Sequence, residues 1–183
     1  MRIGIISDTH GDAATLEKVM STIFHEIDII LHAGDVLYHG PRNLIPKGYN
    51  PSRLAEILNS LKSPVLIAKG NCDAEVDQLL LKIPLANPFL FTVLNGKRVL
   101  VHHGHSLEGE GLEELVNRWE IDLCISGHTH IATLSKVSKC LYFNPGSCAL
   151  PKDGGVQTVG LWDTDTISLI NVNSGSVLDS MKI

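Results

Sequence analysis

Short apolar runs alternate with polar, glycine-marked segments along most of this chain. Arg2–Ser7, Asp28–Ala33 and Pro64–Lys69 are brief and continuously apolar, the pattern of strands buried on both faces. Between them, Asp12–His25 places Leu16, Val19, Met20 and Ile23 at helical spacing. Pro51–Lys62 does the same with Leu54, Ile57, Leu58 and Leu61, and either Ser52 or Asn50 is its N-cap, Asn50 if Pro51 takes the first helical position. Leu37–Asn50 holds Gly40, Pro41, Pro46 and Gly48 and reads as a long loop. Alternating strands and helices imply parallel pairing through crossover helices.

The second half changes character. Phe89–Leu94 and Lys97–His102 flank Asn95-Gly96, a dipeptide suited to a type I′ hairpin turn. Gly111–Trp119 reads as a helix and Asp122–Ser126 as an apolar strand. Short strands follow at Thr133–Val137, Cys140–Phe143, Val156–Asp163, Thr166–Val172 and Val177–Lys182, while Leu79–Phe91 reads as hydrophobic and loop-rich. The expected architecture is α/β: a four-layer α/β/β/α sandwich, two mixed β-sheets packed face to face with helices outside.

With 183 residues and 44% hydrophobic content, one domain spanning 1–183 is expected. The formal net charge of -5 disfavours non-specific nucleic-acid binding, which relies on counterion release by basic residues. Ser7, Asp8 and His10 interrupt the first apolar run, so it is no signal-peptide core, and no other uncharged run reaches the roughly 18 residues of a membrane span. A cytoplasmic location with no membrane partner follows. Cys72, Cys124, Cys140 and Cys148 are scattered without a CxxC pair, the pattern of free thiols rather than of a zinc ribbon or disulfide framework.

Metal-ligand residue types stand at the C-terminal ends of the apolar runs. Asp8 and His10 follow the first, Asp35 the second, Asn71 and Asp73 the third; His102, His103 and His105 follow the hairpin, and His128 and His130 the run after it. Ligands bind outside the carboxyl ends of strands in open α/β sheets, so five separate segments are expected to converge on one point. Residues two apart on extended backbone point to one side, about 6–7 Å apart, which lets Asp-x-His and His-x-His aim paired groups into a pocket. Glycine before Asp35, Asn71 and His128 permits tight turns and close approach to an ion. Taken singly, a Gly-Asp is usually a turn and a buried His a satisfied core residue; the ordered conjunction points to a site. Carboxylate, amide and imidazole donors suit Mn, Fe, Zn or Co better than a thiolate site would. Two divalent ions outweigh two carboxylates and a bridging hydroxide, leaving a positive centre that attracts phosphate and activates the hydroxide for in-line attack.

Asp8-Thr-His10, Gly34-Asp35, Gly70-Asn71-Cys72-Asp73, His103-Gly104 and Gly127-His128-Thr-His130 resemble the five signature blocks of the calcineurin-like metallophosphoesterases. His39-Gly-Pro-Arg-Asn43, Pro46-Lys-Gly-Tyr49, Gly70–Gln78 and Asn144-Pro-Gly-Ser147 are similar to the small bacterial phosphodiesterases of the YfcE type. The resemblance implies one metal held by Asp8, His10, Asp35 and His130, and a second held by Asp35, Asn71, His103 and His128, with Asp35 bridging. It implies Asp35, Asn71 and His103 as the catalytic core, two divalent ions, Mn2+ first with Ni2+, Co2+, Fe2+ or Zn2+ as alternatives, and a small phosphodiester substrate. Many members carry His where this chain has Cys72, as a general acid or phosphate contact. A thiol is a poor substitute for imidazolium near neutral pH, so substrates with good leaving groups are expected to react faster.

Arg42, Cys72 and His105 are candidate substrate contacts; for Arg42 the plain alternative is a structural ion pair. Glu108, Glu110, Glu113 and Glu114 read as a solvated helix face, and Asp73 as a residue that orients Asn71 or a neighbouring loop. A protein-binding scaffold of the same fold, a nuclease and a phosphomonoesterase are the competing classes. A dimer or larger homo-oligomer is expected.

Overall fold

A computed structural model describes residues 1–183. In chain order its elements are β1 (Ile3–Ile6), α1 (Ala13–Thr22), β2 (Ile29–His32), α2 (Pro51–Ser60), β3 (Val65–Ala68), a short 3₁₀ helix (Glu75–Leu79), β4 (Leu85–Ala86), β5 (Phe89–Leu94), β6 (Lys97–His102), α3 (Gly109–Arg118), β7 (Leu123–Ile125), β8 (Ala132–Val137), β9 (Cys140–Pro145), β10 (Thr158–Asp163), β11 (Thr166–Asn171) and β12 (Val177–Lys182). One sheet runs β12-β11-β10-β1-β2-β3-β4 and the other β5-β6-β7-β9-β8. Both are mixed: β1 is parallel to β2 but antiparallel to β10, and β6 is parallel to β7 but antiparallel to β5.

The four layers follow from alternation along the strands. Ile3 and Ile5 face the inter-sheet core with Leu31, Phe143 and Trp162, while Ile6 and Ile30 face the outer core under α1 and α2. A smaller core of Leu100, Val116, Ile121, Cys124 and Cys140 lies under α3. Strands buried on both faces explain the continuous apolar runs of the first half. No helix is long and apolar enough to cross a membrane.

Local chemistry sets the element ends. Asn50 caps α2, its side chain accepting the Arg53 N–H at 3.0 Å, with Pro51 in the first turn. Asp12 caps α1 through the Thr15 N–H, at 3.0 Å. Asn95 and Gly96 both take positive φ, 51° and 75°, as a two-residue hairpin turn requires. Leu79–Phe91 is more ordered than its composition predicts: the end of the 3₁₀ helix and β4 lie within it, and Gln78 braces it by donating to the carbonyls of Leu81 and Ile83. Glu110, Glu113 and Glu114 are exposed on α3, the solvated face the sequence implies.

Candidate metal centre

The loops after β1, β2, β3, β6 and β7 meet at one end of the sandwich. Asp8, His10, Asp35, His103 and His130 are buried there, at 0–4% exposure. The x-spaced pairs do not sit on extended backbone, contrary to the expectation from strand geometry. Asp8, His10, Asp35, His128 and His130 all take left-handed φ, between 42° and 68°. That region is uncommon for residues other than glycine, Asp, Asn and His being the commonest exceptions. Five such residues at one point indicate a backbone held in place by its surroundings.

The glycines have a specific task. A Cβ on Gly70 would strike Asp35 Oδ1 and the Asp35 nitrogen; one on Gly127 would strike Ser7 Oγ and Asp8 Oδ2. The carboxylates occupy the space that side chains at these positions would need.

Three histidines are oriented in the same way. His10 Nδ1 donates to the Tyr38 carbonyl at 2.7 Å, His103 Nδ1 to that of Ala33 at 2.8 Å, and His130 Nδ1 to that of Leu150 at 2.6 Å. Each Nε2 is thereby turned toward the centre as a lone pair, the arrangement usual for metal-ligating imidazoles. His10 Nε2 and His130 Nε2 face each other at 3.1 Å. His103 Nε2 faces two oxygens, Asn71 Oδ1 at 3.1 Å and Asp35 Oδ2 at 3.3 Å.

Each carboxylate has one oxygen tethered and one free. Asp8 Oδ2 accepts from Ser7 Oγ at 2.6 Å and from the His128 N–H at 3.1 Å. Asp8 Oδ1 is buried without a hydrogen-bond partner, 3.2 Å from His130 Nε2 and 3.6 Å from His10 Nε2. Asp35 Oδ1 accepts the Cys72 N–H at 2.8 Å, while Asp35 Oδ2 lies between His10 and His103, 3.6 and 3.3 Å from their Nε2 atoms. An orphaned carboxylate oxygen beside facing lone pairs is what a cation would satisfy. The donor set, imidazole nitrogen with carboxylate and amide oxygen, fits a divalent transition metal. Asp8, His10 and His130 form one potential metal-holding cluster, and Asp8, Asp35 and His103 another.

The charge balance agrees. Burial pushes His103 down, but Asp35 and Asp8 outweigh it and raise the group to about 9. His10 is also raised, Asp8 overcoming burial. Burial raises Asp8 and Asp35, yet the neighbouring histidines hold both below the usual carboxylate range. The cluster attracts positive charge, whether proton or metal.

His128, His105 and Cys72 are nearby but less constrained. His128 is half-buried, its ring 5.2 Å from that of His103. His105 is exposed, its ring 5.4 Å from His103 and 6.3 Å from His128. The Cys72 sulfur, beside His10 and Asp35, belongs to a third cluster that the sequence did not suggest as metal-holding. Burial and then the Asp35 charge push this thiol up to about 12, so at neutral pH it is a neutral thiol rather than a ligand thiolate. Arg42 is exposed and takes part in none of the ion pairs. Asp73 binds the loops together: its carboxylate accepts the N–H groups of Asp35, Val36 and Gly70 at 2.7–2.9 Å.

Sequence reasoning missed several supports. His32 is fully buried; its Nδ1 accepts the Gly34 N–H at 3.0 Å, so its Nε2–H donates to Thr9 Oγ1, whose own hydroxyl donates to the Val36 carbonyl. Ser147 Oγ donates to the Asp8 carbonyl at 2.7 Å, and Asn144 Nδ2 donates to the Gly127 carbonyl at 2.8 Å. The block Asn144-Pro-Gly-Ser147 was the available signal; its task is to clamp the loops carrying Asp8 and His128.

Known proteins share this fold. The family model of the calcineurin-like phosphoesterase superfamily domain matches residues 1–167. Phosphodiesterase YfcE of Escherichia coli (strain K12) is 36% identical over 184 residues, covering 100% of this chain and 98% of that protein. The structure of that E. coli phosphoesterase superposes with a TM-score of 0.89 over the whole of both chains, at 33% identity. Phosphodiesterase MJ0936 of Methanocaldococcus jannaschii is 25% identical over 90% of this chain and 94% of its own length. A zinc-complexed Vps29 of Entamoeba histolytica shares the fold, with a TM-score of 0.68 at 21% identity, covering 100% of this chain and 98% of that one. On the family model and the full-length likeness to YfcE, the chain belongs to the calcineurin-like phosphoesterase superfamily and is a metallophosphoesterase.

Proposed function

We propose that this chain is a two-metal phosphodiesterase acting on small phosphodiesters, with Mn2+ as the preferred ion. The observation that carries this reading is the convergence of free carboxylate oxygens and Nε2 atoms aimed into one centre. One ion is assigned to Asp8, His10, Asp35 and His130, the other to Asp35, Asn71, His103 and His128. The position of Asp35 Oδ2 between His10 and His103 supports Asp35 as the bridge. When bound, two divalent ions supply a nucleophile from water at neutral pH and stabilise the charge of an in-line displacement.

The chain's own residues do the rest. Asn71, His103 and Asp35 set the reacting phosphorus against that nucleophile. Arg42, free of any carboxylate, is available to grip a phosphate oxygen bidentately. His105 stands exposed beside His103 and His128, positioned to touch an entering ester. Cys72 keeps its proton and is a weak acid, so it does little for a departing alkoxide. Aryl esters, whose leaving groups need no protonation, are therefore the faster substrates. The three cores draw on residues from Ile3 to Val172, which supports treating 1–183 as one domain. Four unpaired cysteines suit a reducing, cytoplasmic setting.

The test is hydrolysis of bis-p-nitrophenyl phosphate and p-nitrophenyl phosphate by metal-stripped protein, with Mn2+, Ni2+, Co2+, Zn2+ or Mg2+ added back. Metal-dependent turnover that favours the diester supports the proposal. A preference for the monoester reassigns the substrate class, and no turnover by folded protein with any ion favours the scaffold class.

A further inference from the structure

We propose that two copies of this chain pair through their β5 strands, forming a two-fold dimer with one continuous ten-stranded sheet. Each sheet ends in two edge strands, β12 and β4 in the first, β5 and β8 in the second. Exposed edges are templates for pairing, and proteins blunt them with short length, charge or proline. Three of these edges are blunted. β4 is two residues long, β8 carries Lys136, and β12 carries Asp179 and Lys182. β5 is not: its six residues, FLFTVL, include no charge, proline or glycine. It pairs with β6 on one side only.

The bare edge coincides with an apolar face. Phe91 and Val93 are 43% and 57% exposed, and the Phe91 ring meets Trp119 edge-on at 5.4 Å. A second copy suits this surface better than another partner because the strand is self-complementary. Antiparallel pairing about a dyad at Phe91 sets Phe91 against its own copy and Phe89 against Val93 of the partner. Such aromatic and aromatic–β-branched pairs are favourable across strands. Identical chains of net charge -5 repel one another, and β5 itself brings no charge to the pairing. The isologous arrangement covers both bare edges at once.

The geometry leaves the metal centres free. Phe89 is in register with His102, so β5 begins at the metal-bearing end of its sheet. Antiparallel pairing puts the partner's metal-bearing end at the opposite pole, with both sites open. The dimer therefore stands apart from the proposed activity and can fail without it.

Sedimentation equilibrium of the full chain at about 100 µM, above the Kd of an ordinary specific interface, tests the proposal. The expected mass is twice the 19.9 kDa of one chain, or a multiple of that dimer. Val93→Lys, at an exposed position, is expected to halve the mass while turnover of bis-p-nitrophenyl phosphate stays within about twofold of the parent. Phe91→Cys is expected to form a reducible cross-link between chains on mild oxidation, which the parent chain does not. A monomeric parent, or an assembly whose mass is unchanged by Val93→Lys, overturns the proposal.

Discussion

The two halves of the metal centre differ in how they meet solvent. Asp8, His10 and His130 are closed off, at 0–4% exposure, with their side chains tied to the backbone of distant segments. On the other side His103 is equally buried, but Asn71 is exposed, His128 is half-buried, and Cys72 and His105 open outward. One half is closed around its ligand-type groups; the other opens its groups to solvent. Rigidity at the first and access at the second are compatible because Asp35 joins them while Asp73 anchors the Asp35 backbone from below.

The largest effect is expected where the halves join. Asp35→Ala should lower metal-dependent kcat by about 10³-fold or more, measured on bis-p-nitrophenyl phosphate at saturating Mn2+; retained activity would refute the bridging assignment. Asp73→Ala leaves the buried N–H groups of Asp35, Val36 and Gly70 without an acceptor and should cost on the order of 4 kcal/mol of unfolding free energy. Urea titration checks this, and a loss below about 1 kcal/mol would mean that the loops hold themselves.

His32 sharpens the contrast through pH. Burial, which penalises the charged ring, lowers it to about 4 from an ordinary 6.5, and its Nδ1 accepts the Gly34 N–H. The unfolded chain thus binds the proton more readily, so stability is full above about pH 6.5 and falls as pH drops toward 4. The loss amounts to about 3 kcal/mol. His32→Asn should flatten that acid limb, read from urea midpoints between pH 4 and 7.

Metal removal separates the halves directly. Dialysis against a weak chelator is expected to take one ion per chain quickly, from the open half, and the second slowly. Each occupied site should add about 2–3 kcal/mol at 100-fold saturation; metal content followed with thermal midpoint tests this, and simultaneous loss of both ions would erase the distinction. The smallest effect belongs to the rim: Arg42→Ala should raise KM about tenfold, near 1.4 kcal/mol, with kcat little changed. A fall in kcat alone would move Arg42 from binding to the chemical step.

Most of the scaffold was legible because local rules and burial agreed. Asn50 and Pro51 announce α2, Asn95-Gly96 announces the hairpin, and the apolar runs announce strands buried on both faces. β4 was not legible: two residues carry no period, and pairing with β3 alone defines them. The D-x-H and H-x-H spacing is visible in the sequence, but the left-handed backbone that carries it is not. Alternation along a strand is a repeat property, whereas a left-handed residue is a single backbone choice that spacing does not record.

What residue order alone decides here is the inventory of the site: carboxylate, amide and imidazole groups in five blocks, each after a strand and most beside a glycine that leaves room for them. Folding in three dimensions decides what those groups are. The carbonyls that orient His10, His103 and His130 lie 28, 70 and 20 residues away. Every residue carries a carbonyl, so no side-chain type marks these partners in advance. Asp73 differs from Asp35 by the same logic. Backbone N–H groups saturate the first and reach only one oxygen of the second, leaving Asp35 Oδ2 to face the histidines.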